Sequence, residues 1–225
     1  MLEWGPMRCS PVRWPLSVAA ARAIQERLSS RVRRSGSPRV TLLAGADLAY
    51  GRDGKAWAAV VVVRLPGCAV AEVATASGRP AFPYVPGYLS FREGPLLLEA
   101  FGRLRRSPDL CLFDGQGIAH PRGCGLAAHI GVLLGLPSVG CAKSRLVGEY
   151  REPGARRGDW SPLRLEGRTV GAVLRSREGV RPLFVSVGHR ISLAVAIRWV
   201  LACCRYRVPE PIRLAEQVVN RLKDA

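Results

Sequence analysis

The chain has 225 residues, 48% of them hydrophobic and 7% aromatic, with 34 Lys plus Arg against 17 Asp plus Glu, a formal net charge of +17. That composition suits a soluble globular chain of one large or two small domains with a substantial core. It excludes a bilayer span, since the most apolar run, 56–63, is far too short.

Only Lys55, Lys143 and Lys223 are lysines, so nearly all of the positive charge is arginine. The guanidinium forks onto anionic oxygens, and a surplus of this size points to a polyanionic partner, nucleic acid first. Glu3 sits early and no apolar leader follows it, so no secretory signal is expected and the expected location is the cytoplasm. Seven cysteines form no CxxC pair, and several lie inside apolar runs. Reduced, buried cysteines are expected, not disulfides or a zinc site.

Residues 18–32 carry Ala21, Ile24, Leu28 and Val32 at helical spacing behind Ser17 as N-cap. The basic stretch 31–39, broken by Ser, Gly and Pro, reads as a solvated connector placed to touch phosphate. An apolar strand over 40–46 then ends in Asp47. A β-branched strand over 57–65 follows the turn at 52–55, and a third over 69–75 follows Pro66-Gly67. A meander followed by alternating helices and strands predicts a mixed α/β sheet.

The prolines in PYVPG (83–87) restrict the backbone and would hold the Tyr84 ring in place. Packing over the core is the commoner fate of such a ring. Ser90-Phe91-Arg92-Glu93 has the form of a capping box, opening a helix through Leu97, Leu98, Phe101 and Leu104. In that role Glu93 would only bond the Ser90 amide.

The chain is organised around 109–145. Leu110 to Phe113 reads as a buried strand with Asp114 at its carboxyl end, and Gly115 and Gly117 allow a sharp turn and close approach to a ligand. A helix over 125–134 follows, and then a strand over 137–140 that ends near Lys143. The Gly-, Pro- and Arg-rich stretch 151–168 reads as a loop. Next come a hairpin of 169–174 and 182–187, a helix over 192–204, and a last helix from 209. That helix has Ile212, Ala215, Val219 and Leu222 on its apolar stripe and Glu216 off it.

Asp47 and Asp114 each end an apolar strand, where an unpaired carboxylate is costly to bury. On neighbouring strands they would lie side by side and call for a cation between them. Hard oxygen donors without Cys/His spacing point to magnesium or manganese, with Glu93 as a third ligand. Such a cluster in a basic protein fits phosphodiester hydrolysis. The three histidines, His120, His129 and His189, are too scattered for zinc. A dinucleotide-binding reading of Gly115-x-Gly117 fails because Pro121 interrupts the helix start it requires. Acidic residues on the first and fourth strands suggest a ribonuclease-H-like architecture, a mixed sheet of five strands or slightly more flanked by helices.

At this point the residues resemble a known family, endonuclease V, the deoxyinosine 3′-endonucleases. The matching segments are AGADLAY (44–50), PYVPGYLSFREGP (83–95), DGQGIAHPRGCGLAAHIG (114–131), GCAKSRL (140–146), PLFVSVGHRIS (182–192) and VPEPIRLAE (208–216), in order along the chain. With no internal repeat or domain-scale linker, one domain is expected, 1–39 as helix and connector and 40–225 as the core. A monomer is expected because no long exposed apolar stripe is left unassigned. The resemblance implies a catalytic cluster of Asp47, Glu93 and Asp114 holding Mg²⁺, with Mn²⁺ able to substitute, and Lys143 near the scissile phosphate. His120 would contact phosphate. Pro83, Tyr84, Val85 and Pro86 would form a wedge filling the gap left by a flipped base, and Gly87, Leu89, Gly115, Gly117 and Gly125 would shape the hypoxanthine pocket. Gln116 replaces a His or Asn of many relatives. Glu216 stands where some carry His or Asp, and could still bind metal. The implied activity cuts the second phosphodiester bond 3′ to deoxyinosine, in single- or double-stranded DNA. The alternatives are an inosine-specific endoribonuclease and a non-catalytic nucleic-acid-binding module.

Overall fold

Small and apolar residues dominate the first three strands, β1 (Leu42–Tyr50), β2 (Ala56–Arg64) and β3 (Ala69–Gly78), which pair as an antiparallel meander. Because side chains on a strand alternate between faces, Leu43 packs into one core layer and Ala44 into the other. The computed structural model describes residues 13–225, so Glu3 and Cys9 lie outside the described residues.

The remaining strands are β4 (Leu110–Phe113), β5 (Ser138–Ala142), β6 (Trp160–Leu165), β7 (Arg168–Leu174) and β8 (Leu183–His189). They extend the meander into one eight-stranded sheet of order β3-β2-β1-β4-β5-β8-β7-β6. β1, β4 and β5 run parallel to one another, and the other pairs are antiparallel. Helices α2 (Leu89–Gly102) and α3 (Leu126–Leu134) contact strands of this sheet, as do α4 (Leu193–Cys203) and α5 (Glu210–Asp224). Helix α1 (Val18–Ser29) packs on α3, its first turn capped by Ser17 Oγ accepting from the Ala20 amide.

Several expectations need correction. The stretch 151–168 is not all loop, because β6 forms within it. Pro162 is tolerated there since β6 is an edge strand. β1 does not stop before Asp47 but runs through it to Tyr50, held along its length by β2. The capping box does not form. Tyr88 is the N-cap of α2, so Ser90 already lies inside the first turn, and its hydroxyl pairs with His129 Nδ1 at 2.9 Å. Leu222 is 37% exposed and off the core, although Ile212, Ala215 and Val219 are buried as expected.

The connector after α1 is ordered by Arg190 N donating to the Arg33 carbonyl and by Arg33 N donating to His189 Nδ1. Five of the described cysteines are buried and Cys68 is half-buried, all unpaired. Among the described residues no helix is long and apolar enough to cross a membrane.

Candidate active site

The parallel pairing of β1 with β4 sets Ala46 opposite Phe113, so the next residues, Asp47 and Asp114, sit side by side at the sheet's edge. β5 ends at Ala142 on the other flank of β4, and Lys143 follows at once. Its Nζ lies 2.7 Å from Asp114 Oδ2 and 3.2 Å from Oε1 of Glu216, which α5 brings in. Glu93 comes from the first turns of α2 and is buried. Its Oε1 accepts from the Tyr50 hydroxyl at 3.3 Å, and the Arg92 guanidinium lies 4.7 Å from the centre of the Tyr50 ring.

The acids perturb one another. Burial, and then the charge of Asp114, pushes Asp47 up to about 7. Burial, and then Asp47, pushes Glu93 up to about 8. Burial disfavours the Lys143 ammonium, but Asp114 and Glu216 outweigh it and raise its pKa. Among the described residues no three Asp, Glu, His or Cys side chains are gathered closely enough to hold an ion as they stand. The donor set nevertheless fits a divalent cation: hard oxygens whose mutual repulsion a 2+ charge would relieve.

Asp114 and Lys143 also line a cavity of about 340 Å³. Its other walls include Tyr84, Val85, Pro86 and Gly87 from the PYVPG segment, Leu89 at the start of α2, and Gly115, Gln116, His120 and Gly125 from the turn after β4. Most of the predicted wedge and pocket residues therefore line one cavity with Asp114 and Lys143, whereas Asp47, Glu93 and Glu216 are not on its wall. Pro83 and Gly117 are absent from the cavity wall, Pro83 being exposed beside Tyr84. Gly117 does a different job. A Cβ there would stand 2.1 Å from the Val187 carbonyl oxygen, and one on Gly140 would stand 2.4 Å from the Gly117 nitrogen. Only bare backbone lets this turn settle onto the sheet.

Tyr84 is 70% exposed at the rim, so it is not the core-packing ring that base expectation favoured. His120 lines the cavity, but both ring nitrogens are engaged internally: Nδ1 accepts from the Arg122 amide at 3.2 Å and Nε2 bonds the Gly87 carbonyl at 2.9 Å. Burial pushes its pKa down to about 4, which favours the neutral ring. Gln116 Nε2 donates to the Ser144 carbonyl at 3.0 Å, leaving its buried Oε1 without a partner. His129 is a helix residue stacked near Trp14 and Phe91, and burial pushes it down to about 3.

Sequence reading missed Tyr50, Gln25 and Arg122. Tyr50 lies three residues after Asp47 in β1, so alternation turns it to the opposite face of the strand, where it meets Glu93. Gln25 lies outside every matching segment, and Arg122, though inside 114–131, has no role assigned there.

Carboxylates from neighbouring parallel strands and a flanking helix, with a lysine, at the carboxyl edge of a strongly basic α/β sheet define a nuclease of ribonuclease-H-like fold. The endonuclease V family model matches residues 24–217. An endonuclease V from Roseiflexus sp. (strain RS-1) is 51% identical over 209 residues, 92% of this chain and 94% of the relative. The crystal structure of the Streptomyces avermitilis endonuclease V superposes with a TM-score of 0.90 at 42% identity, covering 95% of this chain and 96% of that one. That of Ciona intestinalis endonuclease V, in complex with a 23mer DNA containing an inosine followed by a ribo-adenosine, superposes with a TM-score of 0.81 at 27% identity, covering 92% and 97%. The chain belongs to the endonuclease V family.

Proposed function

We propose that this nuclease recognises deoxyinosine in DNA and hydrolyses the second phosphodiester bond on its 3′ side, leaving 3′-hydroxyl and 5′-phosphate ends with the lesion still in the strand. The observation that carries the reading is that Asp114 and Lys143 belong at once to the acidic cluster and to the wall of the cavity. A base held in the cavity is thus tethered within a short reach of the cutting groups. The relative from Ciona, bound to inosine-containing DNA, supports the substrate.

Asp47, Glu93 and Asp114 would hold Mg²⁺, with Mn²⁺ as a substitute and Glu216 as a further oxygen donor. When bound, the ion supplies an acidified water and neutralises charge on the phosphate. Lys143 leaves Asp114 to face the phosphate, where its ammonium offsets charge developing in the transition state. Tyr50 keeps the Glu93 carboxyl oriented by its hydroxyl. Tyr84 enters the duplex as Pro83, Val85 and Pro86 limit its backbone, and the extruded base lies against Gly87, Leu89, Gly115 and Gly125. The protein acts as one domain and as a monomer in the cytoplasm; a dimer mass at micromolar concentration would refute the second point.

The test is a nicking assay on end-labelled duplexes that differ only by one deoxyinosine, with Mg²⁺ or with EDTA. The expected result is one nick at the second bond 3′ to the lesion, abolished by EDTA. The ribo-adenosine beside the inosine in the Ciona complex favours a second reading, an inosine-directed endoribonuclease. Cutting of inosine RNA with the DNA left intact would establish that reading instead.

A further inference from the structure

The carbonyl oxygen of Gly87 meets three side chains from outside its own loop: Gln25 Nε2 at 3.0 Å, His120 Nε2 at 2.9 Å and an Arg122 guanidinium nitrogen at 2.7 Å. A backbone carbonyl has two lone pairs, so satisfying this group does not require three donors. The donors are also tied to one another. Arg122 Nε donates to Gln25 Oε1 at 2.6 Å, and Gln25 Nε2 donates again to the Cys124 carbonyl at 3.1 Å. Because His120 Nδ1 accepts from the Arg122 amide, its proton resides on Nε2, and the neutral ring is the third donor to Gly87.

Gly87 is where the chain turns from the proline-stiffened segment toward α2, at φ +79. Tyr84 lies three residues before that turn. Just after it, the Tyr88 ring is covered by the Arg122 guanidinium at 4.1 Å. Gln25 reaches this point from α1, outside the strands that build the site, and is only 1% exposed. Burying an amide is costly unless every polar atom is used, and here the nitrogen bonds the Gly87 and Cys124 carbonyls while the oxygen accepts from Arg122, tying the recognition loop to the 120–124 turn.

We infer that Gln25 is a positioning residue for the recognition loop: with Arg122 and His120 it clamps the Gly87 carbonyl and so fixes Tyr84 against the turn after β4. The inference rests on the proposed role of Tyr84 as the wedge. A ring that displaces a stacked base is pushed back by the stack it opens. An unanchored loop would yield to that push, and the base would stay in place. The clamp transmits the load to α1 and to the 120–124 turn instead of leaving it on five loop residues. Through Gln25, which also lines the cavity, it gives α1 a part in positioning the site.

The test is single-turnover nicking by wild type, Gln25→Met, Tyr84→Ala and the double variant, on inosine duplex and on inosine single strand, at a temperature where circular dichroism shows each folded. Gln25→Met is expected to lower the duplex rate roughly tenfold, to change the single-strand rate much less, and to add nothing once Tyr84 is Ala. Arg122→Lys keeps the charge but loses the fork, and is expected to give the same pattern, so the idea stays testable if Gln25→Met does not fold. Equal losses on both substrates, or losses that add to that of Tyr84→Ala, would mark Gln25 as a stabiliser only and overturn the inference. Unaltered rates in the variants would overturn the clamp alone. Failure of wild type to cut inosine DNA would overturn the functional reading and the clamp together.

Discussion

The Lys143 ammonium sits 2.7 Å from Oδ2 of Asp114, the side chains being 38% and 20% exposed. It thus holds one corner of a carboxylate that a divalent cation would also claim. Lysine and metal compete for the same oxygen at rest, although both are assigned to the phosphate in the transition state.

Lys143→Met removes the competitor and the phosphate partner together, and the two effects separate kinetically. The rate at saturating Mg²⁺ should fall about 10²-fold, the scale of losing one donor to a developing charge. The Mg²⁺ concentration giving half-maximal rate should fall as well. A titration of rate against Mg²⁺ reads both. A variant whose rate returned to the wild-type value at high Mg²⁺ would show that Lys143 serves only to assemble the site.

Asp47 and Glu93, pushed up to about 7 and about 8, make the metal-free fold sensitive to pH. A carboxyl whose pKa is raised lets the native state bind more protons than the unfolded chain. Its contribution is therefore present at acid pH and lost as pH rises from about 4 through about 8. Below about pH 6.5 the buried neutral histidines work the other way, so the comparison belongs above it: metal-free protein should melt lower at pH 8.5 than at pH 6.5, by roughly 5–10 °C if the loss is a few kcal/mol. Mg²⁺ should restore most of the difference, and adding Mg²⁺ near pH 6.5 should release protons that a weak buffer can report. Glu93→Gln should flatten the dependence. A pH-independent melting point without metal would contradict the protonated state assigned to both acids.

Much of this was legible in the residues because burial writes itself into pattern. β2 is a β-branched run between turns, and β4 is four apolar residues before a glycine turn, so both strands and the adjacency of Asp47 and Asp114 could be read. β6 could not, because WSPLRL carries a proline and an arginine after an Arg/Gly-rich stretch. As an edge strand it exposes alternate residues and needs no complete ladder. The capping box failed for a local reason: a helix start moved by two residues puts Ser90 in the first turn and leaves Glu93 to Tyr50. Gln25 was invisible because its partners lie 62 and 99 residues away. A polar residue on an otherwise amphipathic helix reads as solvent-facing until the loop it holds is seen.

Tyr84 separates function from stability cleanly. A ring 70% exposed contributes little core, so Tyr84→Ala should change unfolding free energy by no more than about 0.5 kcal/mol. The duplex nicking rate should fall at least tenfold, because alanine leaves the gap of a flipped base unfilled. Tyr84→Phe should keep most of the rate, since filling the gap needs the ring and not the hydroxyl. Urea denaturation read beside the nicking rate decides the matter. A large loss of stability with a parallel loss of rate would return Tyr84 to the ordinary role of a packing tyrosine.

Asp109 makes the opposite prediction. Its Oδ2 accepts from the Thr41 amide at 2.8 Å, the Thr41 hydroxyl at 3.0 Å and the Leu42 amide at 2.9 Å, fastening the start of β1 to the start of β4. These bonds sit at the end of the sheet away from Asp47 and Asp114, and their absence would leave two strand-end amides without acceptors. Asp109→Ala should cost about 2 kcal/mol, and Asp109→Asn, which keeps one oxygen, about half as much. The nicking rate per folded molecule, and its dependence on Mg²⁺, should match wild type at a temperature well below melting. If Asp109→Ala instead shifted the Mg²⁺ requirement, the register of β1 against β4 would not be fixed by its nine-residue pairing with β2. The spacing of the two catalytic carboxylates would then depend on this single fastening.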